Sequence, residues 1–141
     1  GIVDPDTGRL VAGPRVGDRG AMVNAVDVMI ASDGAGGKPS LGNTTIGVVA
    51  TNATLTKEQA NKLAAVAQDG IALAVRPAHT MSDGDTMFAI ATGDTKGGTH
   101  MDRLLAAVAV VTSRAITSGV RTAVGLKGLP AVSDLTEAQH G

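Results

Sequence analysis

The sequence contains no cysteine, no tryptophan and no tyrosine, and Phe88 is its one aromatic residue. Without cysteine there are no disulfides, thiolate nucleophiles or thiolate metal sites. Neither charge sign predominates: there are 12 basic and 13 acidic side chains, for a formal net charge of −1. No basic block stands out. Nucleic acid and anionic membrane surfaces, which need a concentrated positive face, are therefore not expected partners. No uninterrupted apolar run comes near the ~18 residues of a membrane helix. The chain opens with Gly1 and shows no signal-peptide pattern, so the default expectation is a cytoplasmic protein and a processed product or fragment.

What is present is mostly small. The 141 residues are 43% apolar and 18% charged, with 19 glycines. That composition suits one globular domain or a part of one. The core has to be built from Ala, Val, Ile, Leu and Met, so its layers are expected to lie close together and to draw on a further segment.

Asp4-Pro5-Asp6-Thr7-Gly8 and Ala12-Gly13-Pro14 read as turns, because proline fixes φ and glycine supplies positive φ. Met22, Val26, Met29 and Ile30 predict a short helix within Ala21 to Ile30, with the two methionines in the core. Ser32 to Ser40 is rich in Gly, Pro and Ser and reads as a linker or processing loop. The near-continuous apolar run from Thr44 to Thr51 suits a strand buried on both faces. Thr56 followed by Gln59 forms a capping box opening a helix, with Ala60, Leu63, Ala67, Ile71 and Ala74 inward and Pro77 as its stop. A second strand is expected at Thr86 to Thr92 and a polar loop from Gly93 to Thr99. A second long helix is expected to be capped by Asp102 and to end near Gly119, with Leu104, Leu105, Val108, Val111 and Ala115 inward. The order strand, helix, strand, helix predicts a layered α/β arrangement.

Chemistry concentrates at two places. Gly42-Asn43-Thr44-Thr45 joins a mobile loop to a rigid strand. There the Thr44 hydroxyl can attack the carbonyl of Asn43 in an N-to-O acyl shift. Hydrolysis of that ester frees the Thr44 α-amine, whose ordinary pKa of ~7.7–8.0 suits a general base near neutrality. Asn-Thr-Thr also reads as a plain loop-to-strand junction. The second place is Thr80-Met81-Ser82-Asp83-Gly84-Asp85, where Asp-Gly-Asp equally suits a turn before a strand. It is too short for a calcium loop. Gly37-Lys38 fails as a phosphate loop because Pro39 stands where Ser or Thr belongs. His79, His100 and His140 have no metal-site spacing. Arg76 reads as a helix-terminal cation.

The stretch from Gly42 to Gly93, with NTTIGVVATNA followed by RPAHTMSDGDTMFAIATG, resembles the DmpA-type L-aminopeptidase/D-esterase family. The resemblance extends upstream through Ile2 to Gly8 and downstream into the second helix. That family includes β-peptidyl aminopeptidases and the pantetheine hydrolase of carbapenem biosynthesis. The resemblance implies an αββα sandwich similar to N-terminal-nucleophile hydrolases and ornithine acetyltransferases. It implies cleavage between Asn43 and Thr44, so that residues 1–43, with a processing loop at about 31–43, end an α chain and residues 44–141 form a β chain. Thr44 would be the nucleophile, with hydrolysis of small peptides, amides or esters through an acyl-enzyme and without cofactor or metal.

In family members a Ser/Glu pair supports the new N-terminus. Here Ser82, 38 residues after Thr44, is accompanied by Asp83 and Asp85 and by no Glu. Which carboxylate takes the partner role stays open. Thr45, His79 and Thr80 are candidates for the substrate pocket. The resemblance also places the oxyanion-binding Asn and the pocket wall in an upstream α-chain segment. It implies a homo-oligomer of αβ pairs, typically a tetramer. Alternatives are an acyltransferase, or a non-catalytic scaffold or binding subunit of the same fold.

Overall fold

A computed structural model describes residues 1–15, 21–32, 44–95 and 99–137. Asn43, the Gly-rich segment from Asp33, the middle of the polar loop at Lys96 to Gly98, and His140 lie outside the described residues. In chain order the elements are β1 (Ile2–Val3), β2 (Leu10–Ala12), α1 (Ala25–Ala31), β3 (Ile46–Thr51), α2 (Lys57–Ala74), β4 (Thr86–Ala91), α3 (Met101–Thr122) and α4 (Val132–Glu137).

The centre is a β3–α2–β4 crossover. Its strands pair in parallel, from Ile46 opposite Thr86 to Thr51 opposite Ala91. Parallel strands need such a crossover, and the sequence supplies its helix cleanly. The Gln59 N–H donates to the Thr56 hydroxyl at 3.3 Å, and the Thr56 N–H donates to the Gln59 side chain at 2.9 Å. Leu63, Ala67, Ile71 and Ala74 then fall on one face and are fully buried. The expected capping box and inner stripe are both present.

α3 packs along α2 with almost no space between the two backbones. A Cβ built on Gly70 would lie 2.5 Å from the Thr112 Cβ and 2.7 Å from the Ala109 carbonyl oxygen. Small side chains thus replace aromatics by letting the helices approach. The inward face of α3 is Val108, Thr112, Ser113 and Thr117. The expected Val111 and Ala115 are exposed instead, because α3 turns Thr112 towards Gly70 of α2 and leaves Val111 and Ala115 on the open groove beside β3. Two of the inward hydroxyls stay satisfied by turning back on the helix: Ser113 donates to the Val110 carbonyl at 2.9 Å and Thr117 to the Ser113 carbonyl at 3.0 Å.

α3 also runs past Gly119 to Thr122. Its N-cap is His100 rather than Asp102, with no side-chain cap bond. By length and composition alone it meets the requirement for a membrane-crossing helix, although no uninterrupted apolar run marks it. Here, however, it is a packing partner of α2.

The N-terminal hairpin and α4 have no counterpart in the sequence expectations. Asp4 organises the turn between β1 and β2 by accepting the N–H groups of Asp6 at 3.0 Å and Thr7 at 2.9 Å. Arg121 of α3 donates to the same carboxylate at 2.6 Å, and Arg114 pairs with Asp6 at 3.2 Å. The hairpin is thereby tied to the C-terminal half of α3.

Two burial expectations are corrected. α1 buries none of its residues, and Met29 is 54% exposed, so the Met22/Met29 pair is not core. The parallel sheet is covered on one face only. Gly47, Val49, Met87 and Ala89 are half-buried on the helix side, while Ile46, Val48, Phe88 and Ile90 are 54–71% exposed on the other. An apolar run shows that both faces suit burial; what lies on each face depends on the layers present.

Candidate active site

Parallel pairing sets the N-terminal ends of β3 and β4 side by side. The residues entering β3, Thr44 and Thr45, therefore meet the residues entering β4, Asp83 to Asp85, although about forty positions separate them. Thr45 is held on both sides: its N–H donates to Asp85 Oδ1 at 2.9 Å, and its carbonyl accepts the Thr86 N–H at 2.8 Å. Thr44 precedes this clamp, exposed, with its side chain against the backbone of Gly84.

The side chain of Asp85 is only 7% exposed, and its second oxygen lies 3.6 Å from His79 Nδ1. His79 Nε2 sits 3.2 Å from the Gln68 backbone carbonyl. A carbonyl can only accept, so the partner assigns the proton to Nε2. Gln68 closes the circuit by donating from Nε2 to the Asp85 carbonyl at 3.3 Å, while its Oε1 is buried without a partner.

Asp83 faces its own loop. Its carboxylate accepts the Thr80 N–H at 2.8 Å, and its N–H donates to the Thr80 carbonyl at 3.1 Å. Ser82 is exposed and joins the turn through its N–H, 3.4 Å from the Thr80 hydroxyl. Asp85 thus holds the entry to β3, and Asp83 shapes its own loop. Sequence reasoning misses Gln68. Its one sequence signal is a polar residue beside Ala67 on the inner edge of α2.

Beside the clamp, an apolar groove of about 300 Å³ runs between β3 and α3. Thr45, Val48, Leu104, Val111 and Ile116 are among its lining residues. Among the described residues no three His, Asp or Glu side chains are grouped to hold a metal ion.

The model of peptidase family S58 matches residues 8–132, which take in Thr44, the 79–85 loop and all of α2 and α3. The chain belongs to peptidase family S58, the DmpA family. An uncharacterized aminopeptidase of Mycobacterium leprae (strain TN) is 63% identical over 51 residues, covering 36% of this chain and 14% of that protein. Uncharacterized aminopeptidases of Mycobacterium bovis and Mycobacterium tuberculosis (strain H37Rv) are each 37% identical over 112 residues, 70% of this chain and 33% of theirs. This S58 chain therefore spans about a third of the length of those longer-matching relatives.

Proposed function

We propose that this chain carries the nucleophile of a self-processing aminopeptidase or amidase, with Thr44 in that role. The observation that carries the reading is the placement of Thr44: an exposed residue at the entry of a strand clamped by a nearly buried carboxylate, in an S58 chain. In processing, Thr44 Oγ1 attacks the Asn43 carbonyl carbon, the Asn43–Thr44 C–N bond breaks, and the hydroxyl proton passes to the departing nitrogen. Water then cleaves the ester, leaving the Asn43 carboxylate and a free Thr44 amine and hydroxyl. In turnover that amine takes the hydroxyl proton as Oγ1 attacks the substrate acyl carbon, gives a proton to the leaving amine, and then activates water on the acyl-enzyme.

In this reading Asp85 acts as a positioning residue through the Thr45 amide. Ser82 and Asp83 are the loop groups that assist the Thr44 amine, and His79 and Thr80 border the substrate. The exposed apolar sheet face of Ile46, Val48, Phe88 and Ile90 supports a second sheet layer, as in an αββα sandwich, supplied by a further segment of the whole protein.

The test uses the full-length protein beside Thr44→Ala, read by intact mass and N-terminal sequencing. A wild-type fragment beginning TTIGVV, absent from the variant, is expected, together with release of N-terminal residues from small amides by the cut form alone. A folded wild type that remains whole would overturn the mechanism and favour a scaffold of the same fold.

A further inference from the structure

Glycine at a turn before a strand is ordinarily explained by its backbone, and at position 84 that explanation fails. Gly8, Gly93 and Gly128 have φ of 70°, 75° and 81°, in the left-handed region that favours glycine. Gly84 is not among the positive-φ glycines, and it is exposed. Its backbone would accept alanine. What a side chain there would meet is Thr44: a Cβ on Gly84 lies 2.8 Å from Thr44 Oγ1, 3.6 Å from Cγ2 and 3.8 Å from Cβ, its three nearest heavy atoms.

We infer that Gly84 is a positioning residue for the nucleophile, its missing side chain being the seat of the Thr44 hydroxyl; the inference rests on the reading of Thr44 as nucleophile. Threonine is stiff at χ1, since Oγ1 and Cγ2 turn together about one bond. With both atoms beside position 84, a small rotation that withdraws Oγ1 from a new Cβ carries Cγ2 towards it. The remaining escape is a change of rotamer, which takes the hydroxyl away from the place it holds beside Gly84. The main chain around Gly84 is held independently: its carbonyl accepts the Thr86 hydroxyl at 3.1 Å, and the Thr45 clamp lies one residue on. The obstruction therefore falls on the Thr44 side chain. A serine in place of Thr44 has no Cγ2 and can swing its hydroxyl aside and back.

The experiment compares full-length wild type, Gly84→Ala, Thr44→Ser and the double variant for the rate of appearance of the fragment beginning at residue 44. The Thr44 χ1 angle is measured alongside, from methyl NMR couplings in threonine-labelled wild type and Gly84→Ala. With Thr44 in place, Gly84→Ala is expected to slow cleavage at least about tenfold, since misplacing a reacting group by about 1 Å costs on the order of 10²-fold. In the Thr44→Ser background the same change is expected to cost less than about threefold, a coupling that a general folding defect would not produce. Equal cleavage rates for wild type and Gly84→Ala, or an unchanged Thr44 χ1, would overturn the inference. The χ1 readout does not require cleavage. A wild type that stays whole while χ1 shifts in Gly84→Ala therefore fails the nucleophile reading and leaves the steric relationship standing.

Discussion

Asp85 accepts the backbone N–H of Thr45 at 2.9 Å across forty residues of sequence, and by that bond the loop entering β4 fixes the start of β3. The relationship follows from parallel pairing, because two strands that begin at the same end bring their entry loops together. It also explains a carboxylate that is nearly buried: one oxygen serves the Thr45 amide, and the other faces His79.

Removing that carboxylate should loosen the strand entry. Asp85→Ala leaves the half-buried Thr45 N–H without its acceptor, at a cost of about 1–3 kcal/mol. Asp85→Asn keeps an acceptor oxygen and is expected to lose less. Urea denaturation of the full-length variants measures both. Equal losses would show that the charge, rather than the Thr45 bond, matters.

Gly70 and Gly119 both lie within helices and should respond in opposite directions to alanine. At Gly70 the new methyl meets the Ala109 carbonyl and Thr112, so overpacking of about 1–3 kcal/mol is expected. At Gly119 nothing lies within 4 Å, and alanine should stabilise α3 by about 0.5–1 kcal/mol. Thermal melts of the two variants beside wild type check both signs.

Acid should act on the hairpin anchor. The Arg121 guanidinium, aided by the Thr7 N–H and hydroxyl, lowers the Asp4 carboxyl from an ordinary 3.8 to about 2. A carboxyl lowered on folding stabilises the native state above its unfolded pKa. That contribution is full above about pH 4 and is lost as pH falls through about 2. Stability measured between pH 5 and 2 should decline more steeply in wild type than in Asp4→Asn, and the difference should shrink at high salt.

Thr56→Ala removes one arm of the capping box and leaves the Gln59 N–H for water. A loss of about 1 kcal/mol is expected by denaturant titration, with Thr56→Ser retaining most of the stability.

The clearest features in the sequence are local. Thr56 and Gln59 announce a helix start because both bonds lie within four residues, and Leu63, Ala67, Ile71 and Ala74 mark its inner face by spacing alone. The hairpin of β1 and β2 is not legible, since strands of two and three residues carry too little periodicity to register. The inward face of α3 is misjudged because hydrophobicity favours Val111 and Ala115, whereas the rotation of α3 against α2 turns Thr112 inward and leaves those two on the open groove beside β3.

Residue order by itself determined the β3–α2–β4 unit, the reliance on small side chains and the stretch around Thr44 that identifies the family. These depend on near neighbours and on composition. Only the tertiary structure decided which carboxylate serves the strand entry, what stands beside Thr44, and which sheet face is covered. The first two depend on groups about forty residues apart, brought together by parallel pairing, and the third on layers that no local pattern records.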